Sequence, residues 1–160
     1  MDPQHANDTA GVIVRPPLLF LGTLTAGLTL DALLGWSLAA PAAEPLLWTV
    51  GGVMIGLGVT IFAAAVRNFA RAATPVQGTK PTEVLVTTGI HGWSRNPIYL
   101  GMFLIYAGIG TAARSPSTLI LTLPLAIIMR YGVVAREEAY LERRFGDAYR
   151  SYKSRVRRWL

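Results

Sequence analysis

The chain has 160 residues, 52% of them hydrophobic and 15% charged, with a mean hydropathy of +0.40. That length makes one domain, and the balance is that of a membrane protein rather than a soluble one. With no cysteine, and imidazoles only at His5 and His91, disulfides, thiolate metal sites and cysteine nucleophiles are excluded and no metal-ligating set remains.

In chain order, residues 1–16 are polar and expected to be flexible. Pro16-Pro17 opens an apolar run from Leu18 to Ala40, broken only by Asp31 and long enough to cross a bilayer. The small residues of LAAPAAEP offer a signal-peptide alternative. The run is longer than a signal core, however, and Arg15 is the single Lys/Arg before it, so a retained span is expected. A second run, Leu46 to Val66, carries no charge, and its Gly52 and Gly56 form a GxxxG that lets helices approach closely. Residues 17–66 therefore read as two spans.

A polar interval, residues 67–96, follows. Its centre, TPVQGTKPTEVLVTTG, has two prolines and many Thr and Val, so it is expected to be extended rather than helical, and functional rather than a mere connector. Residues 97–135 read as a helical hairpin. Ile98–Ala113 and Ser117–Met129 are joined by the RSP turn, with a kink expected at Pro124.

Residues 136–160 read as an amphipathic tail helix. At roughly 100° per residue, Leu141, Phe145, Ala148, Tyr152 and Trp159 fall within about 40° of one direction. Extrapolated backward, Val134 and Arg130 share that face, with Glu137 and Glu138 flanking it. Gly146 interrupts the helix. The net charge of +6 is gathered at this end, with nine Lys/Arg and four Asp/Glu from Arg130 onward. Beside apolar spans this reads as a flank drawn to anionic membrane lipid, with no nucleic-acid partner.

The fold expected is thus all-α and integral to the membrane. It has about four transmembrane helices, the last two a hairpin, and a C-terminal amphipathic cytosolic helix. Arg15, the group Arg67, Arg71, Lys80 and Arg95, and the basic tail fall on one side of that arrangement, while the other side receives only Arg114. By the positive-inside rule both termini are cytoplasmic, in the inner membrane if the source is bacterial.

Buried glutamates need a cation, because burying one ion unpaired costs several kcal/mol. For Glu137 and Glu138 the candidates are Arg130, Arg95 or a positively charged ligand, unless both face water. The stretch TTGIHGWSRNPIYLG supplies a second wall. Gly89 and Gly92 permit close backbone approach, and Arg95 offers a fork for a carboxylate. Asn96 can donate and accept, Trp93 or Tyr99 can stack on a flat ring, and Pro97 suits the first position of a helix. On these residues alone, a capped helix start within an interfacial aromatic belt is the better explanation of the stretch.

LVTTGIHGWSRNPIYLGMFL followed by REEAYLERRFGDAYRSYKSRVRRW resembles the integral-membrane isoprenylcysteine carboxyl methyltransferase and phospholipid methyltransferase family. The shared parts are Gly89, Arg95-Asn96-Pro97, Tyr99, Glu137-Glu138, Phe145-Gly146 and Tyr149/Tyr152, over roughly Pro81 to the C-terminus. His91-Gly92 departs from the family's usual Tyr-Arg and removes one cation.

The resemblance implies S-adenosyl-L-methionine as cofactor, in contact with Gly89, His91, Arg95, Asn96, Pro97, Tyr99, Leu100, Glu137, Glu138, Phe145 and Tyr149. Within that set Arg95 and Glu138 would be catalytic, with Glu137 and Glu138 toward the sulfonium and ammonium, and Arg95 toward the carboxylate. From the helix phase, Arg130 would orient an anionic acceptor; no metal is needed, and the GxxxG permits a homodimer. The reaction implied is methyl transfer to a lipophilic membrane substrate, first a carboxylate of the isoprenylcysteine kind. An amine of phosphatidylethanolamine or a thiol would be the alternative acceptor. Two rivals are not methyltransferases: a small transporter with Asp31 as intramembrane ion-coupling group, and a membrane adaptor acting through its basic tail.

Overall fold

The computed structural model describes residues 10–38, 43–76 and 82–160. His5, Lys80 and parts of the LAAPAAEP and TPVQGTKP stretches lie outside them. Among the described residues the regular elements are all helical. They are α1 (Pro16–Leu34), α2 (Glu44–Arg71), a 3-10 turn (Gly89–Gly92), α3 (Pro97–Ala112), α4 (Pro116–Ile128), a π-helical turn (Met129–Val134), α5 (Ala135–Phe145) and α6 (Asp147–Arg155).

α1 begins where two prolines cost nothing, since the first amides of a helix have no partner within it. The amides of Leu18 and Leu19 instead donate to the Arg15 carbonyl at 3.1 and 3.2 Å. The helix stops at Gly35, whose left-handed φ of 66° returns its N–H to the Asp31 carbonyl, short of the apolar run's end at Ala40. α2 continues past Val66 to Arg71, so the polar interval starts as helix. From residue 82 to 88 it is irregular, neither helix nor strand.

Among the described residues, three helical stretches are long and apolar enough to cross a membrane: Pro16–Leu34, Glu44–Arg71 and the continuous Pro116–Phe145. α3, also apolar, has 16 residues. At 1.5 Å per residue that is about 24 Å, against a hydrocarbon core of about 30 Å.

α2 and α3 pack antiparallel at backbone distance. A Cβ added at Gly51 would lie 2.6 Å from the Gly108 carbonyl, and one at Gly58 would lie 2.7 Å from that of Gly101. The expected pair, Gly52 and Gly56, faces away, with nothing within 4 Å of either. Residues seven apart share a helix face as well as residues four apart do. In a helix apolar on every side, composition gives no phase with which to choose between them.

The α3–α4 connection is tight, as expected from its sequence. Arg114 adopts a left-handed φ of 53°, and the Ser115 side chain accepts the Thr118 amide to cap α4. Asp31, buried at the end of α1, completes this corner. Its carboxylate accepts the Ser115 hydroxyl and, at 3.2 Å, the Ser117 amide. It ties α1 to the start of α4, which accounts for an acid at that depth.

α4 runs through Pro124, and the irregularity appears five residues later as the π-helical turn. A π turn holds more residues per turn than an α turn, so a phase of 100° per residue cannot be carried backward across it. Arg130 accordingly points outward and is exposed, its guanidinium over the Tyr131 ring at 5.5 Å. The expected inward-facing Arg130 is not observed. The tail is two helices, broken at Gly146 with φ 53°. Tyr149, rather than Ala148, takes the buried position in α6.

Residues 10–15 are not frayed. Ala10 is buried beside Tyr140, Leu141, Tyr149 and Tyr152, the Ile13 amide donates to the Gly132 carbonyl at 3.3 Å, and Arg136 Nη1 donates to Gly11 O at 3.1 Å. The N-terminal segment thus lies across the same end of the bundle as α5, the 3-10 turn and the start of α3.

Candidate active site

Glu137 and Glu138 follow one another on α5, and both are buried. Their surroundings differ completely. Glu138 is clamped between two guanidinium groups. Arg95 Nη2 donates at 2.9 Å and its Nε at 3.2 Å, while Arg158 Nη2 donates at 2.6 Å and its Nε at 3.1 Å. The remaining arm of Arg95, Nη1, donates to the carbonyls of Val156 and Lys153. Both residues are therefore fully engaged within the protein. Removing one partner from such a buried pair costs about 3–5 kcal/mol.

This clamp fixes the C-terminal strand of chain. Beyond α6 the backbone turns extended at Val156. Arg157 O accepts the Arg95 amide, and Arg158 O accepts both Ser94 Oγ and Asn96 Nδ2. Trp159 packs edge-to-face on Phe103. The final residues thus hold the Ser94–Asn96 segment in place. The Glu138 carboxylate in turn raises the pKa of Arg158 through hydrogen bonding.

Glu137 has no guanidinium partner among the described residues. The Tyr99 hydroxyl donates to its Oε1 at 2.7 Å, and its Oε2 is buried without any partner among the described residues. An unpaired carboxylate oxygen in a buried site is costly. Glu137 is one of the residues lining a cavity of about 840 Å³, which is walled from three directions. The N-terminal segment supplies Gly11–Leu18, α2 supplies Phe62, Val66 and Phe69, and the α3 entrance supplies His91, Arg95–Tyr99 and Met102. The lining is mostly apolar with a few convergent polar groups, the usual make-up of a ligand site.

His91 sits in the 3-10 turn at the cavity's edge. Asn68 Nδ2 lies 3.4 Å from its Nδ1 and donates at 2.8 Å to the Thr88 carbonyl, and Phe69 meets the ring edge-on. The Tyr152 hydroxyl donates to the His91 carbonyl at 2.6 Å. Burial pushes the imidazole down to about 4, so it is neutral at pH 7. Gly89, at φ 59°, lets the turn close on Asn68, since a Cβ there would sit 2.5 Å from Asn68 Nδ2.

Of the expected ligand contacts, the fold brings His91, Arg95, Asn96, Pro97, Tyr99 and Glu137 to the cavity. Gly89, Leu100, Glu138, Phe145 and Tyr149 lie outside its lining. Phe145 and Tyr149 instead join the small core behind Glu138, and Trp93 is 78% exposed and away from the cavity. Arg158, Asn68 and the N-terminal wall were not expected. The tail's basic run hid Arg158 among exposed neighbours, and the apolar triplet Val12-Ile13-Val14 is the trace in the sequence of an N-terminal segment that folds back.

A family model described as phospholipid methyltransferase matches residues 46–148, more than half of the chain. Protein-S-isoprenylcysteine O-methyltransferase of Saccharomyces cerevisiae is 36% identical over 75 residues, 46% of this chain and 30% of the yeast protein. A protein of Haemophilus influenzae described as uncharacterized is 70% identical over 27 residues, 17% of this chain and 43% of that one. The chain spans less than half the length of the curated relatives it matches.

Proposed function

This chain belongs to the phospholipid methyltransferase family, and from that premise we propose that it transfers the methyl group of S-adenosyl-L-methionine to a lipophilic acceptor at the cytoplasmic face of the membrane. The observation that supports this reading best is that Glu137, buried and with one carboxylate oxygen left unpartnered, is among the residues lining a cavity wide enough for a ligand of that size.

The donor set fits the cofactor in part. Glu137 suits a sulfonium or ammonium, Asn96 and neutral His91 are polar groups available near an adenosine, and Phe62, Phe69 and Met102 are apolar surface. Arg95 and Glu138 are paired to each other, so they act as positioning residues that set the wall rather than as direct contacts. Bound there, S-adenosyl-L-methionine would supply an electrophilic methyl carbon on a positively charged sulfur.

The protein's own part is orientation and removal of water. Tyr99 holds the Glu137 carboxylate in one rotamer, and the clamp around Glu138 holds α5 against the entrance of α3. The apolar walls strip water from a nucleophile arriving from the bilayer. Positioning of this kind contributes about 7–11 kcal/mol in favourable cases. A carboxylate acceptor of the isoprenylcysteine kind needs no base and is the first reading. A phospholipid amine is the second; Glu137, with one oxygen left unpartnered, would be the group to accept the proton an amine must lose.

The reading is tested by incubating membranes that contain the protein with methyl-labelled cofactor and extracting the lipids. Label in a lipid ester or a lipid amine supports it and decides the acceptor. No label above a Glu137→Gln control contradicts it.

A further inference from the structure

Among the residues that line the cavity, one arginine has a guanidinium left unused by the described residues. Arg95 is spent on Glu138 and two carbonyls. Arg15 lines the same cavity, is exposed, and makes no side-chain hydrogen bond or ion pair among the described residues.

Its backbone is nevertheless fixed on both sides. Its carbonyl receives the Leu18 and Leu19 amides, Pro16 and Pro17 lock the chain that follows, and two residues earlier Ile13 is bonded to Gly132. Arg15 also stands at the N-terminal end of α1, where the helix dipole carries like charge and gives a cation no stabilisation. The spot is electropositive twice over, and what it lacks is an anion. The acidic residue of the same lining is Glu137, buried and with its Oε2 unpartnered.

We propose that Arg15 is the anion-binding residue of this cavity, engaging the carboxylate or phosphate of a ligand whose cationic group faces Glu137. The proposal rests on the methyltransferase reading and adds to it a residue outside the matched region 46–148. Two ligands carry that chemistry. One is the cofactor, through its amino-acid carboxylate, and the other is the acceptor, through a carboxylate or a headgroup phosphate. The competing role for Arg15 is that of a boundary cation resting in headgroups, as expected of Arg67, which is exposed at the end of α2 and does not line the cavity.

The test uses the full chain in detergent, as wild type, Arg15→Gln, Arg15→Lys and Arg67→Gln, with thermal melts to confirm folding. Binding of S-adenosyl-L-methionine and of its decarboxylated analogue is measured by calorimetry. The dependence of labelled methyl transfer on the concentration of total membrane lipid extract is measured alongside. If the anion is the cofactor's, Arg15→Gln weakens the cofactor about tenfold or more and leaves the decarboxylated analogue unchanged, while Arg15→Lys recovers part of the loss. If the anion is the acceptor's, both affinities stay put and the apparent KM for lipid rises by a similar factor. The proposal is overturned if Arg15→Gln matches wild type in all three measurements, or if Arg67→Gln reproduces its losses. A wild type that binds neither compound overturns the methyltransferase reading and this inference with it, a result distinguishable from an effect of Arg15 alone.

Discussion

The Tyr99 hydroxyl donates a 2.7 Å hydrogen bond to one oxygen of Glu137 and leaves the other oxygen buried and unpartnered. On the proposed function, a cationic ligand would supply the partner that this oxygen lacks. Glutamine keeps the shape and an acceptor for Tyr99 while removing the charge. Glu137→Gln is therefore expected to melt at the same temperature as wild type or higher, while losing methyl transfer. A melting temperature lowered by several degrees would show that the charge supports the fold instead.

Glu138, one residue on, is expected to behave in the opposite sense. Glu138→Ala leaves Arg95 and Arg158 facing each other without their counterion, and should destabilise the protein by about 3–5 kcal/mol. Chemical or thermal unfolding in detergent measures this. Deleting residues 156–160, which removes Arg158 and the carbonyls that hold Ser94, Arg95 and Asn96, should destabilise in the same direction.

Gly51 and Gly52 are adjacent, yet they should respond to alanine differently. A Cβ at Gly51 meets the Gly108 carbonyl at 2.6 Å and forces α2 and α3 apart, at a cost of about 1–3 kcal/mol. A Cβ at Gly52 meets nothing, and Gly52→Ala should be neutral or stabilising through helix propensity. Comparison of the two melting curves checks the phase of α2 directly.

The sequence carried much of this architecture and less of the site. Apolar runs and prolines marked the helices and the α3–α4 corner, because bilayer length and helix starts leave plain compositional traces. Periodicity failed where the backbone departed from 100° per residue. The π turn at Met129–Val134 sent Arg130 outward, and Gly146 restarted the phase so that Tyr149 replaced Ala148 in the core. Two glutamates at consecutive positions could not be told apart by pattern. What separates them is contact with Arg158, twenty residues on, which no local rule reveals.

His91 makes the fold sensitive to acid. Its folded pKa, about 4, lies below the ordinary value near 6.5, so the folded state resists a proton that the unfolded chain accepts. The stability contributed by keeping it neutral is fully present above pH 6.5, declines as pH falls from there toward 4, and changes no further below. His91→Gln should flatten that part of a plot of melting temperature against pH. An unchanged slope would mean that other groups produce it.

The central claim is that Glu137, with Tyr99 behind it, receives the positively charged end of S-adenosyl-L-methionine. Calorimetric titration of the purified protein with that compound, wild type beside Glu137→Gln, tests it most directly. Saturable binding by wild type, weakened about tenfold or more in a folded Glu137→Gln, is the predicted result. Equal affinity in the two proteins, or no binding to wild type, would contradict it.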